Sequence, residues 1–207
     1  MRAIGVDRHT PGTLYVCIEN GALIRTRDGG QTWEDRTPDS PRDTHTIATH
    51  ERAPGRVYSA AGDGFAVPGH GFAQSEDGGD SWTYPDGGLT QHYGWGLAVD
   101  PGDPDTVLIS VAPGPQEAHN PRAARSSVYR RSGGGPWREV RDGLPGPEGM
   151  LANVLACNPA EPGVFYAVSN QGLYRSADGG LSWAREDLGW PPPYRFAHVQ
   201  DLAVLET

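Results

Sequence analysis

The side chains best suited to chemistry in this chain are imidazoles, phenols and carboxylates, because its basic residues are all arginine and none of its 207 residues is lysine. A Schiff-base lysine and a phosphate-loop lysine are therefore excluded together. His45, His70, His92, His119 and His198 are the histidines of interest, accompanied by Tyr93, Trp95 and Glu117 in the same stretches. Imidazoles with carboxylates suit zinc or another transition ion. No His-x-His or His-x3-His pair occurs, and Cys17 and Cys157 stand far apart in apolar runs without metal-ligand spacing. The reading is a polar site without a cofactor, with a transition metal at a His cluster as the sharper alternative. Both cysteines read as buried free thiols. A net charge of −9 argues against nucleic acid or an anionic membrane surface as partner. No apolar stretch resembles a signal peptide or a membrane span, so the chain is expected to be soluble and cytoplasmic.

What positions these residues is a repeat. Thr26-Arg-Asp-Gly-Gly-Gln-Thr-Trp33, Ser75-Glu-Asp-Gly-Gly-Asp-Ser-Trp82 and Ser176-Ala-Asp-Gly-Gly-Leu-Ser-Trp183 share one pattern, and Ser132-Gly-Gly-Gly-Pro-Trp137 is a degenerate fourth copy. The tryptophans are 49, 55 and 46 residues apart, so the unit is one supersecondary module rather than a chance loop. A second landmark runs in phase: Asp7, His50, Asp100 and Asn158 each precede a proline (Pro11, Pro54, Pro104, Pro162) by four residues. Short runs rich in β-branched and aromatic residues flank each landmark, as strands do. Ala3 to Val6, Thr46 to Thr49, Gly96 to Val99 and Asn153 to Cys157 come before it. Leu14 to Ile18, Val57 to Ala61, Val107 to Val111 and Val164 to Val168 come after.

Each unit thus has an inner strand, a proline turn, a second strand, a third strand ending at the Ser/Thr-x-Asp turn, and an outer strand starting at Trp. Small four-stranded sheets cannot cover both faces alone and must stack on one another, which radially makes a β-propeller. The predicted fold is all-β: a propeller of four-stranded antiparallel blades, forming one region over 1–207. The blades fall at about 1–40, 41–88, 89–145 and 146–190. The tail Asp201-Leu-Ala-Val-Leu-Glu206 repeats the inner-strand pattern, which predicts an extra inner strand at 198–207 and an open or partial ring. Open blade edges also predict possible self-association.

The repeated turn resembles the Asp-box, or BNR repeat, of sialidase-like propellers, a family similar in outline to sorting-receptor propellers and to a photosystem II assembly factor. In that family the boxes are structural and lie opposite the ligand face. The resemblance implies that Thr26, Asp28, Trp33, Ser75, Asp77, Trp82, Ser132, Trp137, Ser176, Asp178 and Trp183 serve the fold. Trp137, in the degenerate copy, is expected to pack less well. The resemblance also implies an alternative function as a sialidase-like glycoside hydrolase. Arg2, Arg42, Arg122, Arg125 and Arg195 would then hold a substrate carboxylate, Tyr93 with Glu117 or Glu148 would be the nucleophilic pair, and Asp63 the acid. No motif places any of these residues, and the arginine motif of sialidases is absent.

Loop lengths say where a propeller built this way is elaborated. From landmark proline to turn hydroxyl the four units have 15, 21, 28 and 14 residues, so the excess lies in Gly62 to Gly71 and Ala112 to Ser126. His70 and His119 fall in those loops, and His45, His92 and His198 at or just before inner strands. Aligning the inner strands, with Glu206 as fifth counterpart of Asp7, puts Arg2, His45, Trp95, Asn153 and Asp201 at one level of the channel mouth. With His70, His92, Tyr93, His119 and His198 these form the expected ligand-binding set, with Trp190 and Tyr194 close in sequence. The function expected is a binding scaffold for a protein partner or a small polar or carbohydrate ligand.

Overall fold

The computed structural model describes residues 2–205, apart from the side chains of Ala22 and Arg195. Its strands form four antiparallel sheets in chain order. The first holds β1 (Ala3–Val6), β2 (Leu14–Ile18) and β3 (Ala22–Thr26), and the second β4 (Thr44–Thr49), β5 (Val57–Ala61) and β6 (Phe72–Ser75). The third holds β7 (Tyr93–Asp100), β8 (Asp103–Ala112), β9 (Ser127–Arg131) and β10 (Arg138–Val140), and the fourth β11 (Val154–Cys157), β12 (Phe165–Ser169), β13 (Gly172–Ser176) and β14 (Ala184–Arg185). These are the blades, numbered 1 to 4.

The landmark residue caps the turn between the first two strands of every blade. Asp7 Oδ1 accepts the His9 amide (2.8 Å), His50 Nδ1 the Arg52 amide (3.1 Å), Asp100 Oδ1 the Gly102 amide (2.8 Å) and Asn158 Oδ1 the Ala160 amide (3.1 Å). A short side-chain acceptor satisfying the backbone two residues on is what fixes such a turn. That is why four different residues recur at one position.

The Ser/Thr-x-Asp turns are equally uniform. In each, the hydroxyl donates to the carboxylate at 2.8 Å, from Thr26 to Asp28, Ser75 to Asp77 and Ser176 to Asp178. The same carboxylates accept the amides of Thr32, Ser81 and Ser182 at 2.9 to 3.0 Å. Hydrogen bonds from Thr32 hold the Asp28 carboxyl at about 2. For Asp77 and Asp178, burial pushes upward, but hydrogen bonds from Ser81 and Ser182 outweigh it and hold both at about 2.

Blade 3 departs from the expected alignment. Its register pairs Val107 with Arg131, where the other blades pair Leu14 with Thr26, Val57 with Ser75 and Phe165 with Ser176. Arg131, not Ser132, therefore occupies the hydroxyl position. With no aspartate in the shortened turn, the Arg131 guanidinium donates to the Gly135 carbonyl (3.2 Å), and Ser132 Oγ lies 3.0 Å from Thr106 Oγ1 instead.

The outer strands are also shorter than expected in blades 1 and 2, where single bridges (Arg25 to Glu34, Gln74 to Thr83) replace them. In blade 2, Pro85 lacks the N–H that a longer ladder needs. The tail carries no strand over 198–205, and Glu206 lies outside the described residues. No described strand pairs with it, and a lone segment with inner-strand composition has no ladder to join.

Blades interlock through their tryptophans. Trp82 packs on Tyr15, Cys17 and Leu23 of blade 1, Trp137 on Tyr58 and Phe72 of blade 2, and Trp183 on Leu108 and Val128 of blade 3. All three are buried, Trp137 most of all at 3% exposure. The expectation of looser packing for Trp137 is overturned, because the outer strand and the preceding blade seat the indole, whose Nε1 donates to the Pro85 carbonyl at 2.8 Å. Trp33 departs the other way, at 44% exposure. Cys17 is buried and its thiol is pushed up by burial to about 12, while Cys157 is only half-buried, beside the lower channel.

Candidate functional site

The inner strands of the four blades converge on a central cleft. At its upper end Arg2, His45, Trp95, Val154 and Leu155 line a cavity of ≈ 570 Å3, which Gln200 and Asp201 of the tail also border. That volume suits a small ligand or a few residues of a chain. Arg2, His45, Trp95 and Asp201 thus all line one cavity. Asn153 does not: it is fully buried, with both side-chain amide atoms lacking a hydrogen-bond partner.

Around the cavity the side chains form a connected cluster. The His45 ring lies 4.6 Å from Trp95 and 5.2 Å from Tyr93, and its Nδ1 is 2.7 Å from the Gly94 carbonyl. Its Nε2 faces Asp43 Oδ2 at 3.5 Å, an ion-pair separation too long for a good hydrogen bond. The Arg2 guanidinium sits over the Trp95 ring at 4.5 Å and pairs with Glu19. His119, at the end of helix α1 (Pro115–His119) in the longest of the loops between second and third strands, meets Trp95 at 4.2 Å. Its Nε2 lies 3.1 Å from the Tyr93 hydroxyl, and its Nδ1 lies 2.8 Å from His198 Nε2. The tail is held over the mouth by this imidazole pair and by the contact of His198 with Trp95.

The surroundings favour the neutral forms of His119, His198 and Tyr93. Burial lowers the His119 pKa to about 4, with the neighbouring His198 acting in the same direction. Burial, then Arg2, lowers His198 as well. Burial raises the Tyr93 phenol, so it stays protonated. Asp43 is held low by its contact with His45 and by the Asn20 amide at 2.6 Å, against a burial effect that raises it.

These shifts set a pH dependence. His119 takes a proton near pH 6.5 when unfolded but only near 4 when folded, so stability is full above pH 6.5 and falls as pH drops from 6.5 to 4. The interval from 6.5 to 4 corresponds to about 3 kcal/mol, which solvent screening of the half-buried ring reduces to on the order of 2 kcal/mol. Melting curves at pH 7 and pH 4.5 for the wild type and His119→Gln measure it: the variant is expected to lose less stability on acidification. Equal losses would contradict a buried neutral imidazole.

The remaining expected residues lie elsewhere. His70 stacks on Tyr84 at 3.9 Å, and neither it nor His92 borders the cavity. Trp190 and Tyr194 pair edge-on at 5.6 Å beside a separate cavity near Gly149. Asp63 is committed to the backbone, accepting the Arg42 and Asp43 amides at 2.9 and 2.8 Å, and so positions the Asp43 and His45 pair. Tyr93 has His119 as its partner rather than Glu117 or Glu148, the latter pairing with Arg125 at 3.8 Å. Arg42 and Arg122 are exposed, and the Arg195 side chain lies outside the described residues. Asp43 and Gln200 went unread in the sequence. Asp43 stands two residues before His45 at a strand end, but only the fold shows that the two face each other. Among the described residues no group of three His, Cys, Asp or Glu is arranged to hold a metal ion.

No protein-family model and no curated protein matches the sequence. Solved structures do match. An ancestral GH74 enzyme aligns with a TM-score of 0.70 at 15% identity, covering 89% of this chain and 24% of that one. The GH74 xyloglucanase from Xanthomonas campestris aligns at 0.66 and 20%, covering 89% and 29%. The GH74 enzyme from Niastella koreensis aligns at 0.64 and 18%, covering 87% and 30%. This chain spans less than a third of the length of each, and at these identities the likeness is one of fold: these are β-propeller blades.

Proposed function

We propose that the chain is a propeller binding scaffold whose ligand site is the cleft at the channel mouth. The observation that carries this reading is the cavity of ≈ 570 Å3 where Arg2, His45, Trp95 and Asp201 meet. A cation, a carboxylate, an imidazole and an indole lining one cavity offer hydrogen bonds and a flat apolar surface, which suits a polar ligand such as a carbohydrate or a peptide segment. Membership of the Asp-box repeat family goes with this reading, supported by three identical hydroxyl-to-carboxylate turns. The hydrolase alternative has the GH74 fold likeness behind it. Its proposed residues do not support it, since the Tyr93 phenol is raised rather than activated and Asp63 accepts backbone amides. Retention of the protein on glycan and peptide arrays, compared between wild type and cleft variants, tests the reading.

A further inference from the structure

Each blade has a leading face toward the preceding blade and a trailing face toward the next. In blades 2, 3 and 4 the leading face is buried, with Ile47, Leu97 and Leu155 at equivalent inner-strand positions. In blade 1 the counterpart, Ile4, is 55% exposed; Val6, two residues on, is 54% and Trp33 44% exposed, and Leu14, Val16 and Ile24 are half-buried. A sheet face this apolar has the composition of an interface.

The trailing face of blade 4 carries the matching half. In blade 1, Tyr15 and Arg25 are cross-strand neighbours, and both donate to the Gly78 carbonyl in the turn of blade 2, the Tyr15 bond being 3.0 Å. In blade 3 the residue at the Arg25 position, Arg130, donates in the same way to Gly179 (2.6 Å). Blade 4 presents the same pair, Tyr166 opposite Arg175, with Leu173 where blade 1 has Leu23. Tyr166 and Leu173 are half-buried, and among the described residues the guanidinium's ion-pair partner is Glu161, at 3.7 Å.

The tryptophan seat repeats too. The Trp137 and Trp183 amides donate to the carbonyls of Gly87 and Asp142, at the ends of the preceding outer strands. The next residues, Gly88 and Gly143, have positive φ and press on the tryptophan backbones, where a Cβ would overlap them. Blade 4 ends its outer strand on Asp187-Leu188-Gly189. Gly189 again has positive φ, but nothing lies within 4 Å of its Cβ position, and Leu188 is 60% exposed.

We propose that these two faces are the halves of one interface between two copies of this chain. Trp33 of one copy seats at Leu188 and Gly189 of the other, with Tyr166 and Arg175 gripping the Gly29 carbonyl. The occupant is a second copy because both halves belong to one sequence and continue a joint already made three times within it. The contact is head to tail, and two equivalent contacts close a two-copy ring.

Sedimentation of the 207-residue chain at tens of micromolar tests this. The expected species is about 44 kDa, twice the chain mass of 22.2 kDa. Trp33→Ala and Leu188→Glu each weaken association at least about tenfold, with circular dichroism unchanged because both residues are exposed. Mixing the two variants restores association above either alone, since one contact then keeps both intact halves. A 22.2 kDa species at every concentration would overturn the proposal and leave both faces to blades outside these 207 residues. Association that survives both substitutions, or a mixture no better than its components, would equally overturn it.

Discussion

Replacing Trp183 with alanine is expected to destabilise the chain by about 3 to 5 kcal/mol, the range for emptying a large buried aromatic site. Trp183 is 6% exposed and is wedged among Leu108, Val128, Leu155, Phe165 and Tyr174, so its removal opens the joint between blades 3 and 4. Strands from two sheets would have to move together to refill the space, and they are held apart by their own ladders. Its Nε1 is buried without a partner, so Trp183→Phe should cost much less than the alanine change. Urea denaturation of the two variants beside the wild type gives both numbers. A loss below about 1 kcal/mol for the alanine variant would show that the repeated tryptophan is not a joint residue.

The second large effect is expected at Gly143. Its φ of 78° lies in the left-handed region, where a non-glycine residue costs about 1 to 2 kcal/mol. In addition, a Cβ there would overlap the backbone of Trp183, whose amide donates to Asp142 at 3.0 Å. Neither side can yield without opening the same joint. Gly143→Ala is therefore expected to cost on the order of 3 kcal/mol or more. At chain concentrations too low for association Gly189→Ala is the control, since in the single chain Gly189 has φ of 59° with open space around it and should show the backbone cost alone, about 1 kcal/mol. Equal losses at the two glycines, measured by the same denaturation, would contradict the contact.

What the sequence made legible was local and periodic. The landmark residues recur because each caps a turn, and three of the four repeated tryptophans because each fills a joint, so their spacing matches the four sheets in chain order. The misreadings share a different cause. Ser132 looks like the turn hydroxyl by type, yet cross-strand register puts Arg131 there, and register depends on pairing with β8 rather than on the turn itself. The tail has an inner strand's composition, yet a strand needs a hydrogen-bonding neighbour, and composition does not show whether one is supplied.

At the mouth the outcome is mixed for a similar reason. Arg2, His45 and Trp95 line one cavity because inner strands share a common level in a propeller, whereas Asp201 borders it from a segment that is not a strand. The meeting of His119 with His198 depends on how α1 and the tail fold back, over a separation of 79 residues. His70, from the other elaborated loop, stacks on Tyr84 instead. Loop length indicated which face is elaborated, and only side-chain packing decided which histidines meet.

The claim that the cleft is a ligand site is tested most directly by array retention. Wild-type chain and the Arg2→Ala, Asp201→Asn and Arg138→Ala variants would be applied to immobilised glycans and peptides, with aryl glycosides assayed alongside. Arg138 lies on the outer strand β10, away from the cleft lining. The account predicts a defined set of retained features, weakened at least about tenfold by Arg2→Ala and Asp201→Asn but not by Arg138→Ala, with no aglycone released. Retention indifferent to both cleft variants, or aglycone release removed by Tyr93→Phe or Glu117→Gln, would contradict it.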